Sequence, residues 1–122
     1  MNIRNNEDMK TAKAQQTAEE VCELMKVLSS KNRFLILCAL ANGEKSVGEI
    51  AETIGIREAT TSQHLALLRK DKIVQPRREN QMIYYSIARS DVRKLMDFLY
   101  ENYCKKNLNS EEEEKKIETK QT

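Results

Sequence analysis

The sequence predicts a mainly α domain with one small β-hairpin, in the order α-α-α-α-β-β-α, and three observations carry that prediction. Ser46 to Lys70 divides into two short amphipathic segments joined around Gly55. The next stretch has strand character, opening at Ile73-Val74, breaking at Asn80-Gln81 and resuming from Met82 to Ile87 with Ile83, Tyr85 and Ile87 alternating. Apolar stripes at helical period flank this unit on both sides. Two helices joined by a Gly-containing turn and succeeded at once by a hairpin form a winged helix-turn-helix. An ordinary helical hairpin would account for Ser46 to Lys70 alone, and the strands beyond Ile73 weigh against it.

In chain order, residues 1–12 are polar and read as a flexible arm, leaving 13–106 as the folded domain. A first helix is expected from Ala14 to Leu28, with Val21, Leu24, Met25 and Leu28 on one stripe. Ser30 is placed to cap a second helix whose Arg33 to Leu40 run is apolar nearly all round, so this helix should lie at the centre, closed by Asn42-Gly43. In the third helix Val47, Ile50, Ala51 and Ile54 recur at i, i+3, i+4 and i+7, Ser46 and Glu49 have capping-box spacing, and Gly55 supplies the left-handed stop. The fourth helix turns Thr61, Leu65 and Leu68 inward and leaves Ala59, Ser62, Gln63 and Ala66 outside, a small and polar face suited to a major-groove floor. Ser90 is placed to cap a last helix running to about Cys104, with Val92, Leu95, Met96, Leu99 and Tyr103 on one side. So small a domain cannot cover every such stripe. Pairing the first and last helices with their copies, through Val21, Leu24, Leu28, Leu95, Leu99 and Tyr103, would give a two-fold homodimer that meets two DNA half-sites. From residue 107 to 122, Glu111 to Glu114 and alternating charges form a tail expected to be disordered.

Composition bounds the function. The 122 residues make one domain, and 21 basic against 19 acidic side chains leave a net charge of only +2. The distribution says more: from Arg57 to Lys94 there are nine basic and four acidic residues, the footprint of phosphate contact, although a solvated surface would look alike. The longest apolar run, Phe34 to Ala41, is too short to span a membrane, and the first ten residues lack a signal peptide's apolar core. A cytoplasmic protein with no membrane partner is therefore expected. Cys22, Cys38 and Cys104 do not resemble a secreted disulfide framework. With no Gly-rich phosphate loop, no nucleophile-base-orienter set and a single histidine, an enzyme is not expected, nor any cofactor.

The element order, together with Leu28, Arg33-Phe34-Leu35-Ile36-Leu37, Ser46-Val47-Gly48-Glu49-Ile50, Ser62-Gln63-His64-Leu65 and Leu68-Arg69, resembles the ArsR/SmtB family of dimeric bacterial repressors over about residues 14 to 104. Cys38, in an Ile-Leu-Cys run, and Cys104, after Leu99-Tyr100-Glu101-Asn102-Tyr103, resemble the dithiol pair of that family's sulfide- and persulfide-sensing branch. The resemblance implies a regulator that binds double-stranded operator DNA and releases it when reactive sulfur species convert the dithiol to a di- or polysulfide bridge. The bridge is expected within one subunit, because both positions lie in one small domain. A pair set too wide for plain oxidation would favour a bridge with extra sulfur atoms. Cys38 taken alone also suits a small core position, whereas Cys104 near a helix end has no such packing role. Cys22 has no counterpart in the dithiol and reads as core or dimer seam.

Metal-sensing branches of the family fit less well. No Cys-x-Cys pair lies near Ser46 to Ile50, Asp91 and Asp97 stand without a histidine, and His64 reads as a packing or hydrogen-bonding residue, so no metal site is expected. On DNA, Thr60, Ser62 and Gln63 are expected at base edges, Gln63 foremost because glutamine can bond adenine twice. Arg69, Lys70, Arg77, Arg78, Asn80 and Gln81 are expected at phosphate or minor groove. Arg57 stands where the family commonly has Ser, and Lys72 where it often has Gly. Three alternatives stay open: a general thiol or peroxide sensor, a metal-responsive regulator, and a winged-helix protein with no cysteine switch. Some relatives compete with another DNA-binding protein and so raise expression.

Overall fold

A computed structural model describes residues 11–105. The expected arm, apart from Thr11 and Ala12, and the expected tail lie outside the described residues. Helix α1 spans Ala12–Leu28, α2 Lys31–Ala41, a two-residue strand β1 Lys45–Ser46, α3 Val47–Ile54, α4 Glu58–Lys70, β2 Val74–Glu79, β3 Met82–Ile87 and α5 Ser90–Leu99, continued by a π-helical turn over Tyr100–Cys104. The strands form one antiparallel sheet in the order β1-β3-β2. The expected two-stranded wing is thus a three-stranded sheet. Residues as few as Lys45 and Ser46 carry no alternation from which a strand can be read.

The second helix is central, as its all-round apolarity predicts. Ile36, Leu37 and Leu40 are fully buried, and α2 packs on α1, α3, α4, α5 and β3. Ile50 from α3, Leu65 and Leu68 from α4, Ile73, Val74 and Ile87 from the sheet, and Val92 and Met96 from α5 complete the core. Val92 and Met96, expected on a stripe awaiting a partner, belong to the core instead. Helix α1 has no buried residue. Its Leu24, Val27 and Leu28 lean on the core while Val21 and Met25 are exposed, because a helix lying on the rim of a small domain covers only one narrow line of contact.

Local chemistry sets the element ends. The Thr11 hydroxyl accepts from Ala14 N at 3.1 Å, so α1 starts two residues earlier than its periodicity suggests. Ser30 caps α2 at Arg33 N. The Ser46–Glu49 capping box is complete in both directions, at 3.2 and 3.0 Å. Gly55 ends α3 with φ +74°. Ser90 does not cap α5: the N-cap is Arg89, with no side-chain cap bond. The Asp91 carboxylate accepts from Val92 N at 2.9 Å and from the Arg89 guanidinium, taking over the first turn.

Candidate nucleic-acid interface and thiol pair

Helices α3 and α4 meet through the three residues Gly55, Ile56 and Arg57. Inside, Thr61, Leu65 and Leu68 are buried, and the Thr61 hydroxyl donates to Arg57 O at 2.9 Å. Outside, Ala59, Ser62, Gln63 and Ala66 are all exposed, and Thr60 is half-buried beside them. One surface therefore carries the expected base-edge residues, with Gln63 unobstructed. Arg57 has no side-chain cap bond, as expected of a residue that lacks a cap oxygen. His64 is half-buried, and its Nδ1 is buried without a hydrogen-bond partner among the described residues. It packs, but the hydrogen bond expected as its alternative role is not made at that atom.

At the C-terminal end of α4, Arg69 and Lys70 are exposed. The helix closes with Lys72 N donating to Arg69 O and Ile73 N to Leu68 O, both at 2.9 Å, which is a Schellman pattern with Lys72 in the left-handed position. The hairpin turn Asn80-Gln81 is exposed, and Asn80 takes φ +57°, a conformation asparagine tolerates. Arg78 is exposed. Arg77 is held. Its Nε donates to Glu44 Oε2 at 3.0 Å, its Nη2 pairs with Glu44 Oε1, its Nη1 donates to Glu79 Oε2 at 2.8 Å, and its guanidinium lies 5.0 Å from the Tyr84 ring centroid. Hydrogen bonds from Glu44 and then Glu79 push the Arg77 pKa up, and the bond from Arg77 holds Glu44 below its ordinary range. Periodicity could not find this cluster, since Glu44 and Arg77 are 33 residues apart.

The second site joins two helices. Cys38 lies in the last turns of α2, and Cys104 ends the π-helical turn after α5; both are half-buried and both are free thiols. The two side chains are close enough for Cys104 to act on the Cys38 thiol. Burial first, then the neighbouring Cys104, push the Cys38 thiol up from 9.0 to about 11. Cys104 is carried by this π turn rather than by an unbroken α-helix. Lys105 N donates to Tyr100 O, and the Asn102 side chain donates to Phe98 O at 2.7 Å, which widens the turn by one residue. Cys22 is exposed on α1, not core. No group of three or more His, Cys, Asp or Glu among the described residues is placed to hold a metal ion.

Of the residues expected at a subunit interface, Val21 is 43% and Tyr103 62% exposed, Leu95 is half-buried, and Leu24, Leu28 and Leu99 pack against the core. Met25 and Phe98, at 62% and 60%, are exposed apolar side chains of the same two terminal helices. Phe98 falls off the Val92-Leu95-Met96-Leu99 stripe, so periodicity does not reveal it. No described helix is long and apolar enough to cross a membrane.

Comparison with known proteins adds the family. The profile described as "Bacterial regulatory protein, arsR family" matches residues 30–75. HlyU of Vibrio cholerae, described as a transcriptional activator, is 36% identical over 84 residues, covering 69% of this chain and 78% of the relative. The structure described as reduced HlyU from that organism aligns with a TM-score of 0.73 at 31% identity over 77% of this chain and 99% of its own. The biofilm growth-associated repressor of Xylella fastidiosa is 40% identical over 87 residues, covering 71% and 76%. A Mycobacterium bovis protein described as a homodimeric winged helix-turn-helix DNA-binding domain aligns with a TM-score of 0.66 at 31% identity, over 83% and 93% of the two chains.

Proposed function

The chain belongs to the ArsR family of bacterial transcriptional regulators, and from that membership we propose a homodimeric repressor that releases operator DNA when the Cys38–Cys104 dithiol is bridged by reactive sulfur species. The observation that carries the proposal is that those two free thiols, contributed by α2 and by the turn after α5 of one subunit, are neighbours. The exposed face of Ser62, Gln63, Ala59 and Ala66, with Thr60 beside it, reads bases, and Arg69, Lys70, Arg78, Asn80 and Gln81 meet phosphate or the minor groove. Helix α1 and the last helix join the subunits through Val21, Leu24, Leu28, Leu95, Leu99 and Tyr103, the exposed members of that set being Val21 and Tyr103.

The chemistry balances without a further oxidant. Cys38, with its pKa pushed up, enters as the thiol, so the first attack is assigned to Cys104. The Cys104 sulfur takes the outer sulfur of a low-molecular-weight persulfide, RSSH; the donor's S–S bond breaks and RSH leaves. The Cys38 sulfur then attacks the inner sulfur of the Cys104 persulfide, whose terminal sulfur departs with the Cys38 proton as hydrogen sulfide, leaving a disulfide. A second RSSH first lengthens the Cys104 chain by one sulfur, and closure then leaves a trisulfide and hydrogen sulfide. Two free thiols stand well outside the S–S bond length of about 2.05 Å, and the end sulfurs of a trisulfide built from such bonds are about 3.3 Å apart. Insertion of one sulfur therefore needs less movement than direct closure, which favours sulfane sulfur over plain oxidation. The bridge ties the last helix, which belongs to the proposed subunit interface, to α2, which supports α3 and α4. A coupling of about 1 to 3 kcal/mol between bridge and DNA would change affinity about 5- to 150-fold.

The test uses Cys38→Ser and Cys104→Ser. Each should bind a duplex recovered by the reduced protein from a random-sequence pool as the unsubstituted protein does, and each should lose the response to glutathione persulfide. A Cys38→Ser protein that still responds selects regulation without this dithiol, and a response to zinc or copper instead selects the metal-responsive alternative.

A further inference from the structure

We infer that Arg77 is not a phosphate ligand but the positioning residue that locks the wing to the start of the helix-turn-helix. The inference rests on the operator-binding reading and deepens it. Arg77 on β2 is paired across the ladder with Tyr84 on the central strand β3, and Tyr84 is paired on its other side with Ser46 on β1. The Arg77 side chain crosses β3 above the Tyr84 ring and ends at Glu44, the residue before β1. It grips both Glu44 oxygens, one at 3.0 Å, and Glu79 at 2.8 Å. Two residues beyond Glu44, Ser46 caps α3, and α3 leads through Gly55-Ile56-Arg57 into the reading helix. One side chain thereby connects β2, β3 and the residue that leads into β1, and fixes the angle between the wing and the helices that enter the groove.

Charge and geometry both argue against phosphate contact. Glu44, Arg77 and Glu79 sum to a net negative charge, so a phosphate approaching Arg77 meets two carboxylates. Three of the five guanidinium donors, including both sides of the fork that would grip a phosphate, are engaged. Arg78, one position on and therefore on the other face of β2, is exposed like Arg77 but has no such carboxylate among the described residues. The division of labour within Arg77-Arg78 is a clamp and then a phosphate ligand.

The discriminating substitution is Arg77→Lys, which keeps the charge a phosphate needs but cannot grip Glu44 with a planar fork. Operator affinity is measured by fluorescence anisotropy across a salt series, on a duplex recovered by the unsubstituted protein from a random-sequence pool. The clamp predicts that Arg77→Lys and Arg77→Gln weaken binding alike, about 3- to 10-fold, and leave the slope of log K against log salt unchanged. Glu44→Gln carries the same expectation from the other end and should weaken binding too. Three results would overturn the clamp: Arg77→Lys binding as the unsubstituted protein does, Arg77→Gln lowering the slope by about 0.9 as loss of one phosphate contact requires, or Glu44→Gln tightening binding. Failure of the unsubstituted protein to recover any duplex removes the operator-binding reading itself, and the clamp with it.

Discussion

Lys72 holds φ at +58°, in the left-handed region that an L side chain resists at a cost of about 1–2 kcal/mol. Glycine there loses about 0.5–1 kcal/mol of chain entropy relative to a residue with a Cβ, so Lys72→Gly should stabilise the fold by about 0.5–1 kcal/mol, seen as a rise of several degrees in Tm. A fall in Tm would mean that the Lys72 side chain holds something its backbone does not reveal. The departure from glycine is visible in the sequence by resemblance, but its physical content, a Schellman position closing α4, is a matter of backbone geometry alone. Cys38 permits a second prediction at this scale. Its thiol keeps its proton to about pH 11, whereas the unfolded chain gives it up near the ordinary 9.0. The stability this confers is full below pH 9 and is lost as pH rises toward 11. The difference in denaturant midpoint between this protein and Cys38→Ser should hold steady up to about pH 9 and shrink above it; a difference that stays flat through that window would contradict the burial of the thiol.

At the scale of elements, the helix-turn-helix is legible in its sequence because every local signal agrees: capping box, apolar stripe, glycine stop and inward Thr61-Leu65-Leu68. Gly55 at φ +74° has open space where a Cβ would stand, so Gly55→Ala should cost about 1 kcal/mol through backbone strain alone, measured by denaturant titration. No loss would mean that the turn relaxes freely. What periodicity missed depends on contacts between distant residues or on single side chains. Strand β1 exists because Lys45 and Ser46 pair with Tyr85 and Tyr84, far along the chain. The π turn arises where the Asn102 side chain takes the Phe98 carbonyl. The start of α5 is organised by Asp91 rather than Ser90, since a carboxylate beside Arg89 outcompetes a hydroxyl for the orphan amide. The thiol pair was legible only by resemblance: 66 positions separate the two cysteines, and only the packing of α5 and its turn beside α2 joins them.

For the whole molecule, the exposed Val21 and Met25 on α1 and Phe98 and Tyr103 at the other terminal helix are what a monomer leaves uncovered. Their burial in a homodimer would make Tm rise with protein concentration. Val21→Glu should shift sedimentation toward the monomer and weaken operator binding about 100-fold, because two half-sites would no longer be engaged by one particle. A Val21→Glu protein that remains a tight dimer would place the interface elsewhere. The same two helices carry Cys22 and Cys104, and in the proposed switch the last one reports the state of the thiols to the reading helices through α2. The most direct measurement of that switch is operator binding by anisotropy with intact mass on the same samples, after reduced protein is treated with glutathione persulfide or, separately, with hydrogen peroxide or glutathione disulfide. The persulfide alone is expected to link Cys38 to Cys104 and weaken binding about 5- to 150-fold. Equal release by peroxide or disulfide would instead mark a general thiol sensor, and unchanged affinity in a fully bridged protein would contradict the switch.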